Sequence, residues 1–288
     1  NQYTSLKKSG ELRPIDIPQL MRTLDATNKI FQIRFTGGEP FLVPNIVEAC
    51  VEITKKHYVE MVTNLTSDNV VEFAEKINPE RVSHIATSVH IKELERHNLT
   101  EKVINNILLC QRKGMNIHAR IVAYPPLFSE AEKYRIFFNK KGIDIQFKPL
   151  FGKYNGKLYP RSYNDEEIEG FGFNRAQIKE CYRYQGLCNA GFNAGVVEPN
   201  GDIYPCHHKN KSEILGNMYK KIEFKKYLTV CPLRYCKCPL KQFDPYLFQR
   251  ALEQNSSIFK KIVPVVRWFP GLGYNLSRRL MRKLKEIL

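Results

Sequence analysis

The apolar, β-branched run Ile33–Thr36 ends in Gly37, Gly38, Glu39 and Pro40. Glycine has no Cβ, so a ligand can come close to the backbone there and unusual dihedrals cost little. Glu39 then holds a single carboxylate at the end of the run, where it suits an ammonium group. Pro40 cannot donate to a strand ladder and stiffens the turn. An ordinary strand-to-helix turn would use the same residue types. A second reactive group lies downstream, in Cys188, Cys206, Cys231, Cys236 and Cys238. The first two bracket GVVEPNGDIYP in a C-x12-G-x4-C spacing, and CPLRYCKCP brings the other three together. A hairpin between two thiolates makes a compact metal clip. Five thiolates exceed the four that one tetrahedral zinc or one [4Fe–4S] cluster needs, so one is a spare or belongs to a second, incomplete set. Clustering of this kind is uncommon for free core thiols.

The elements that must position these residues alternate regularly. Strands are predicted over FQIRFT, YVEMVTN, VSHIATSVH, NIHARIVAY and IDIQFKPL. Between them fall helical patterns: NIVEACVEITKK, NVVEFAEKI, EKVINNILLCQRKG closed by Gly114, and EAEKYRIFFNKKG closed by Gly142. A further helix precedes the first of these strands, with Asp16 as N-cap and Pro18 in its first turn. Such alternation predicts a parallel sheet with right-handed crossovers, open or curled into part of a barrel. Ligands then sit at the C-terminal strand ends, where Glu39, Asn64, Ser88, His90 and Tyr124 fall. After Phe151 the alternation stops. Residues 152–187 read as a connection with a short helix around Glu166 to Tyr182, and Pro-Asn-Gly in GVVEPNGDIYP predicts a hairpin. Cys50 and Cys110 fall on apolar helix faces and read as core residues, Cys181 has no assigned role, and His207 and His208 read as solvated loop residues.

The chain of 288 residues carries 45 Lys and Arg against 29 Asp and Glu, a formal charge of +16. That excess suggests an anionic partner or a solvated basic face. No apolar run is long enough to span a bilayer. The end, GYNLSRRLMRKLKEIL, combines a leucine stripe with clustered cations, and IVPVVRWFPGLGY before it holds the single tryptophan. It would lie on an acidic membrane surface through residues 262–288, dock a phosphate-bearing substrate or partner, or pack its stripe on the body of the protein. No recognised nucleic-acid motif accompanies the charge, so a nucleic-acid partner is not expected.

GGEP after a strand in a βα repeat resembles the methionine-binding motif of radical S-adenosylmethionine (SAM) enzymes. Cys188, Gly201 and Cys206, with VVEPNGDIYPC and LGNMYK, resemble the SPASM/twitch extension of that family. The resemblance covers residues from about 15 to 242. It implies an α/β fold, a partial (β/α)6 TIM-like barrel followed by a small hairpin-and-helix iron–sulfur extension. It also implies that Gly37, Gly38, Glu39 and Pro40 line the SAM site, with Glu39 on the methionine amino group. Asn64 and Ser88 resemble strand-end contacts of the SAM ribose and carboxylate, and Arg120 is a further candidate that could equally serve a structural salt bridge. An auxiliary [4Fe–4S] cluster would take four ligands from Cys188, Cys206, Cys236 and Cys238, with Cys231 as substitute; structural zinc is the alternative.

The family's CxxxCxxC loop, which holds the [4Fe–4S] cluster that chelates SAM, does not occur in these residues. It is expected upstream of Asn1; the other reading is a cluster- or zinc-stabilised binding protein on a degenerate scaffold, without radical chemistry. The implied reaction is one-electron cleavage of SAM and removal of a hydrogen atom from substrate by the 5′-deoxyadenosyl radical. The expected organisation is a barrel over 1–151, a connection over 152–187, a twitch-type domain over 188–245 and a basic tail over 246–288. Expected partners are a small-molecule, peptide or lipid-linked substrate and an electron donor such as a flavodoxin or ferredoxin. The expected location is the cytoplasm, with contact at a membrane surface.

Overall fold

The structure is a computed structural model. It describes residues 12–175, 178, 187–188, 190–207, 213–227 and 229–230. All of these fall in one compact unit, Asn1–Lys241; a second unit spans Gln242–Leu288.

Five parallel strands form the main sheet: β1 (Gln32–Phe35), β2 (Tyr58–Thr63), β3 (Val82–Ser88), β4 (Ile117–Ala123) and β5 (Ile145–Pro149). They are hydrogen-bonded in chain order, β1-β2-β3-β4-β5. Sequential order with crossovers of one hand puts every connecting helix on one face of the sheet, the winding of a barrel arc rather than of a doubly wound sheet. The α/β fold read from the sequence is therefore the fold observed.

The helices follow their apolar periodicity. The helix Thr100–Arg112 buries Val103, Ile104, Ile107 and Cys110, a spacing that lies on one helical face. Asp16 caps the first helix, Ile17–Asp25, by accepting from Gln19 N–H. Gly114 and Gly142 adopt positive φ, at +79° and +76°, just past the helices they close. Strand residues alternate between two faces. Ile33, Phe35, Val59, Met61, Ile85, Ala119, Ile121 and Phe147 belong to the apolar core shared with the helices. The alternate residues Arg34, Glu60, His84, His118, Arg120 and Lys148 lie on the helix-free face.

Past β5 the structure adds what the sequence reading missed. β6 (Gly152–Tyr154) and β7 (Lys157–Tyr159) form an antiparallel hairpin. Its turn is Asn155-Gly156, both at positive φ, a strong short-range hairpin pair. The side chain of Tyr163 accepts from Leu150 N–H at 2.9 Å and donates to the carbonyl of Ala123, tying the ends of β4 and β5 together. The helix read around Glu166 is Asp165–Gly170, opened by a reciprocal capping box between Asn164 and Glu167; Arg175 and Ile178 are also helical.

The expected hairpin is present as β9 (Val196–Val197) and β10 (Ile203–Tyr204). LGNMYK supplies a second one, β11 (Gly216–Asn217) with β12 (Lys221–Ile222). Asn217 joins the two hairpins through its side-chain amide, which donates to Asn200 O and to Asp202 Oδ1 at 3.1 and 2.9 Å.

Candidate functional site

Glu39 is the centre of the arrangement at the C-terminal end of the sheet. It follows the glycine pair and caps a short 3-10 turn, Pro40–Leu42, through Phe41 N–H. Phe41 is buried and packs edge-on against Phe73 at 5.3 Å. That anchors the turn from below. β2 fixes the carboxylate itself. Thr63 Oγ1 donates to Glu39 Oε1 at 2.6 Å, and Asn64 N–H donates to Oε2 at 2.8 Å. A carboxylate offers about four lone-pair sites; three here go to the chain's own donors, and the geometry of the group is set without a ligand.

The loop after β2 is shaped for this purpose. Leu65 sits at φ +55°, a left-handed conformation uncommon for a branched residue. Its N–H bonds Thr63 Oγ1 at 3.0 Å, and buried Asn106 on the helix Thr100–Arg112 donates to its carbonyl at 2.9 Å. Asn64 Oδ1 accepts from Thr66 N–H and Thr66 Oγ1 at 2.9 and 2.6 Å. The oxygen of Asn64 is thus used in the turn.

Above the glycines the space is open. Gly37 adopts φ +123°, and a Cβ built on Gly37 or Gly38 would meet nothing within 4 Å. Pro40 is buried beneath them. Ser88 and Arg120 are register partners on β3 and β4, with Asn64 following the last paired residue of β2. The structure therefore brings Gly37, Gly38, Glu39, Asn64, Ser88 and Arg120 to one end of the sheet. Arg120 does not form the simple carboxylate pair considered for it: its Nη2 bonds His84 Nε2 at 3.0 Å, and its buried Nε has no partner.

Deeper on the same face, Glu60 is 4% exposed. It pairs with Arg34 at 2.8 Å and accepts from Gln32 at 2.7 Å. His84 Nδ1 lies 3.2 Å from His118 Nδ1. Sequence reasoning missed this polar row. The signal was the alternation of charge and apolar residues along IRF, VEMV, SHIA and HARIV, which marks a sheet face turned from the helices.

Cys50 and Cys110 are buried in the apolar core, as expected. Burial pushes the Cys110 thiol up to about 11 and the Cys50 thiol higher still, so neither serves as a thiolate. Cys206 is half-buried just after β10. Cys188 lies in β8 (Leu187–Cys188), which pairs with β13 (Thr229–Val230); Cys188 stands opposite Thr229, two residues before Cys231. Cys231, Cys236, Cys238, Cys181, His208 and the basic tail lie outside the described residues. Among the described residues no group of three or more His, Cys, Asp or Glu could hold a metal ion, and no helix is long and apolar enough to cross a membrane.

Residues 1–133 match the family model of the Radical SAM superfamily. The solved structure described as native anSMEcpe with bound AdoMet and Cp18Cys peptide is similar in fold, with a TM-score of 0.51 and 22% identity over 73% of this chain and 71% of that one. Native anSMEcpe with bound AdoMet and Kp18Cys peptide gives a TM-score of 0.50 and 21% identity over 73% and 70%. No curated protein matches the chain. Residues 1–133 are thus similar to the Radical SAM superfamily, and the two solved structures share the fold.

Proposed function

We propose that Glu39, with the open backbone of Gly37 and Gly38, binds the methionine moiety of SAM, and that a substrate reacts on the helix-free face below it. The observation that carries this reading is the Glu39 carboxylate. It is held by Thr63 and Asn64 at the strand ends, next to glycines with open space above them. Its remaining lone-pair capacity suits an ammonium group. Ser88 and the amide nitrogen of Asn64 provide hydrogen-bonding groups at the same end of the sheet. Held by Glu39 and the glycine backbone, SAM at a reduced [4Fe–4S] cluster would supply the radical chemistry for removal of a hydrogen atom from substrate. The chain's own part is to position both molecules and exclude water.

The pairing of β8 with β13 supports an auxiliary [4Fe–4S] cluster as the finer reading, because it sets Cys188 beside the backbone that leads to Cys231, Cys236 and Cys238. Replacing Cys188 and Cys236 by Ala should then lower bound iron by about the four atoms of one cluster. The substrate is a small molecule, peptide or lipid-linked compound, and a flavodoxin- or ferredoxin-type donor supplies the electron.

The test of the main reading is anaerobic SAM binding and 5′-deoxyadenosine formation by the full-length native protein. Glu39→Gln should weaken SAM binding roughly ten- to a hundredfold, the range of a lost charge-assisted hydrogen bond. Unchanged SAM affinity in that variant would overturn the assignment of Glu39.

A further inference from the structure

The helix-free face carries more positive charge than it neutralises. Three strands contribute cations to it: Arg34 on β1, Arg120 on β4 and Lys148 on β5. Glu60, the buried carboxylate there, is already taken by Arg34 and Gln32. Burial, then the Arg120 charge, push the Lys148 ammonium below its ordinary value. Burial also lowers Arg120, with Glu60 acting in its favour and Arg34 against it. Two cations thus stand close enough to disfavour one another, with Arg120 partly out of water and Lys148 at the exposed edge. An arrangement of this kind costs free energy until an anion enters.

The hydrogen-bond directions sharpen the point. A guanidinium can only donate. His84 Nε2 must therefore accept from Arg120, which leaves the His84 proton on Nδ1. That proton is donated to His118 Nδ1 across 3.2 Å. His118, neutral because burial and then the Arg120 and Lys148 charges lower it while Asp144 acts the other way, carries its own proton on Nε2. His118 Nε2–H, Arg120 Nε–H and the Lys148 ammonium are then all donors. Arg120 Nε is buried with no partner, a costly state for a charged group.

We infer that His118, Arg120 and Lys148 form an all-donor cradle on adjacent strands for an anionic group, a phosphate or carboxylate, of the substrate. This rests on the reading of the face as a radical SAM active site and adds the substrate's chemical class. A neutral ligand would leave three donors without a charged acceptor; an anion takes all three.

Inorganic pyrophosphate and succinate serve as probes, titrated calorimetrically into the full-length native protein with and without saturating SAM. At least one should bind in both conditions. Lys148→Met and Arg120→Gln should each weaken that binding roughly tenfold or more, Lys148→Arg should retain most of it, and Lys113→Met, at an exposed helix end, should leave it unchanged. Equal binding by wild type, Lys148→Met and Arg120→Gln would overturn the proposal, since the anion would then sit on the general basic surface. So would loss of probe binding on addition of SAM, which would assign the cradle to the SAM carboxylate. A failure of the enzyme reading would look different: no 5′-deoxyadenosine, with probe binding still dependent on Lys148.

Discussion

Thr63 Oγ1 donates a 2.6 Å hydrogen bond to Glu39 Oε1 from the strand beside the one that Glu39 follows. The same oxygen accepts from Leu65 N–H at 3.0 Å. One hydroxyl therefore holds both the carboxylate and the left-handed turn after β2. Thr63→Val keeps the volume and removes both bonds. We expect it to cost about 1–3 kcal/mol in chemical denaturation and to weaken SAM binding severalfold, while Thr63→Ser restores most of each. Equal SAM affinity in Val and Ser variants would mean that the Thr63 bond does not aim Glu39.

The two glycines should separate folding from binding. Gly37 has φ +123°, and neither glycine has a neighbour within 4 Å of a built Cβ. Gly37→Ala is strained whatever the space and should lose about 1–3 kcal/mol of stability. Gly38→Ala meets no such strain and should fold normally. If a ligand occupies the open space, Gly38→Ala will still lose SAM affinity. Thermal unfolding and SAM titration of the two variants, side by side, check this.

His57 predicts an acid-side stability loss. It is fully buried, its Nδ1 accepts from Phe31 N–H at 3.3 Å, and its Nε2 has no partner. Burial first, then the Lys56 charge, bring its pKa down to about 4. The folded state thus refuses a proton that the unfolded chain accepts near 6.5. Stability unaffected by this group above pH 6.5 should fall as pH drops toward 4, at up to about 1.4 kcal/mol per pH unit. His57→Asn, which can still accept from Phe31, should flatten the difference between denaturation midpoints at pH 7 and pH 5. An unchanged pH slope in the variant would refute the assignment.

Glu60 should be the most sensitive charge in the sheet. It is buried, and Arg34, Gln32 and Arg120 all depend on it. Glu60→Ala leaves Arg34 without its counter-ion and Arg120 without a carboxylate that favours its charge, and should cost about 3 kcal/mol, the low end for breaking a buried pair because Arg34 is partly exposed. Urea unfolding measures it directly. A loss under about 1 kcal/mol would show that water replaces the carboxylate.

The barrel arc was legible because each strand and helix advertises itself locally. Apolar runs stop at Gly37 and Pro125, and helices end at Gly114 and Gly142. The Glu39 turn was legible for the same reason: a glycine pair and a proline leave few alternatives. The His84–His118–Arg120 row was not. Each residue is an ordinary polar position in its own strand, and only the register Ala86 to His118 and Ser88 to Arg120 sets them side by side. The β6–β7 hairpin was missed although Asn155-Gly156 announces it, because its flanking runs are only three residues each. The pairing of β8, which holds Cys188, with β13 is likewise long-range, and no local pattern encodes it.

The row from Arg120 through His84 to His118 has one further implication. Its polarity is set at one end by a group that never gives up its charge, so every bond along it points the same way. The row works like a rectifier for protons: it can present one outward at His118 and cannot pull one in without turning a ring. A molecule lying against it meets a donor at His118 rather than a base.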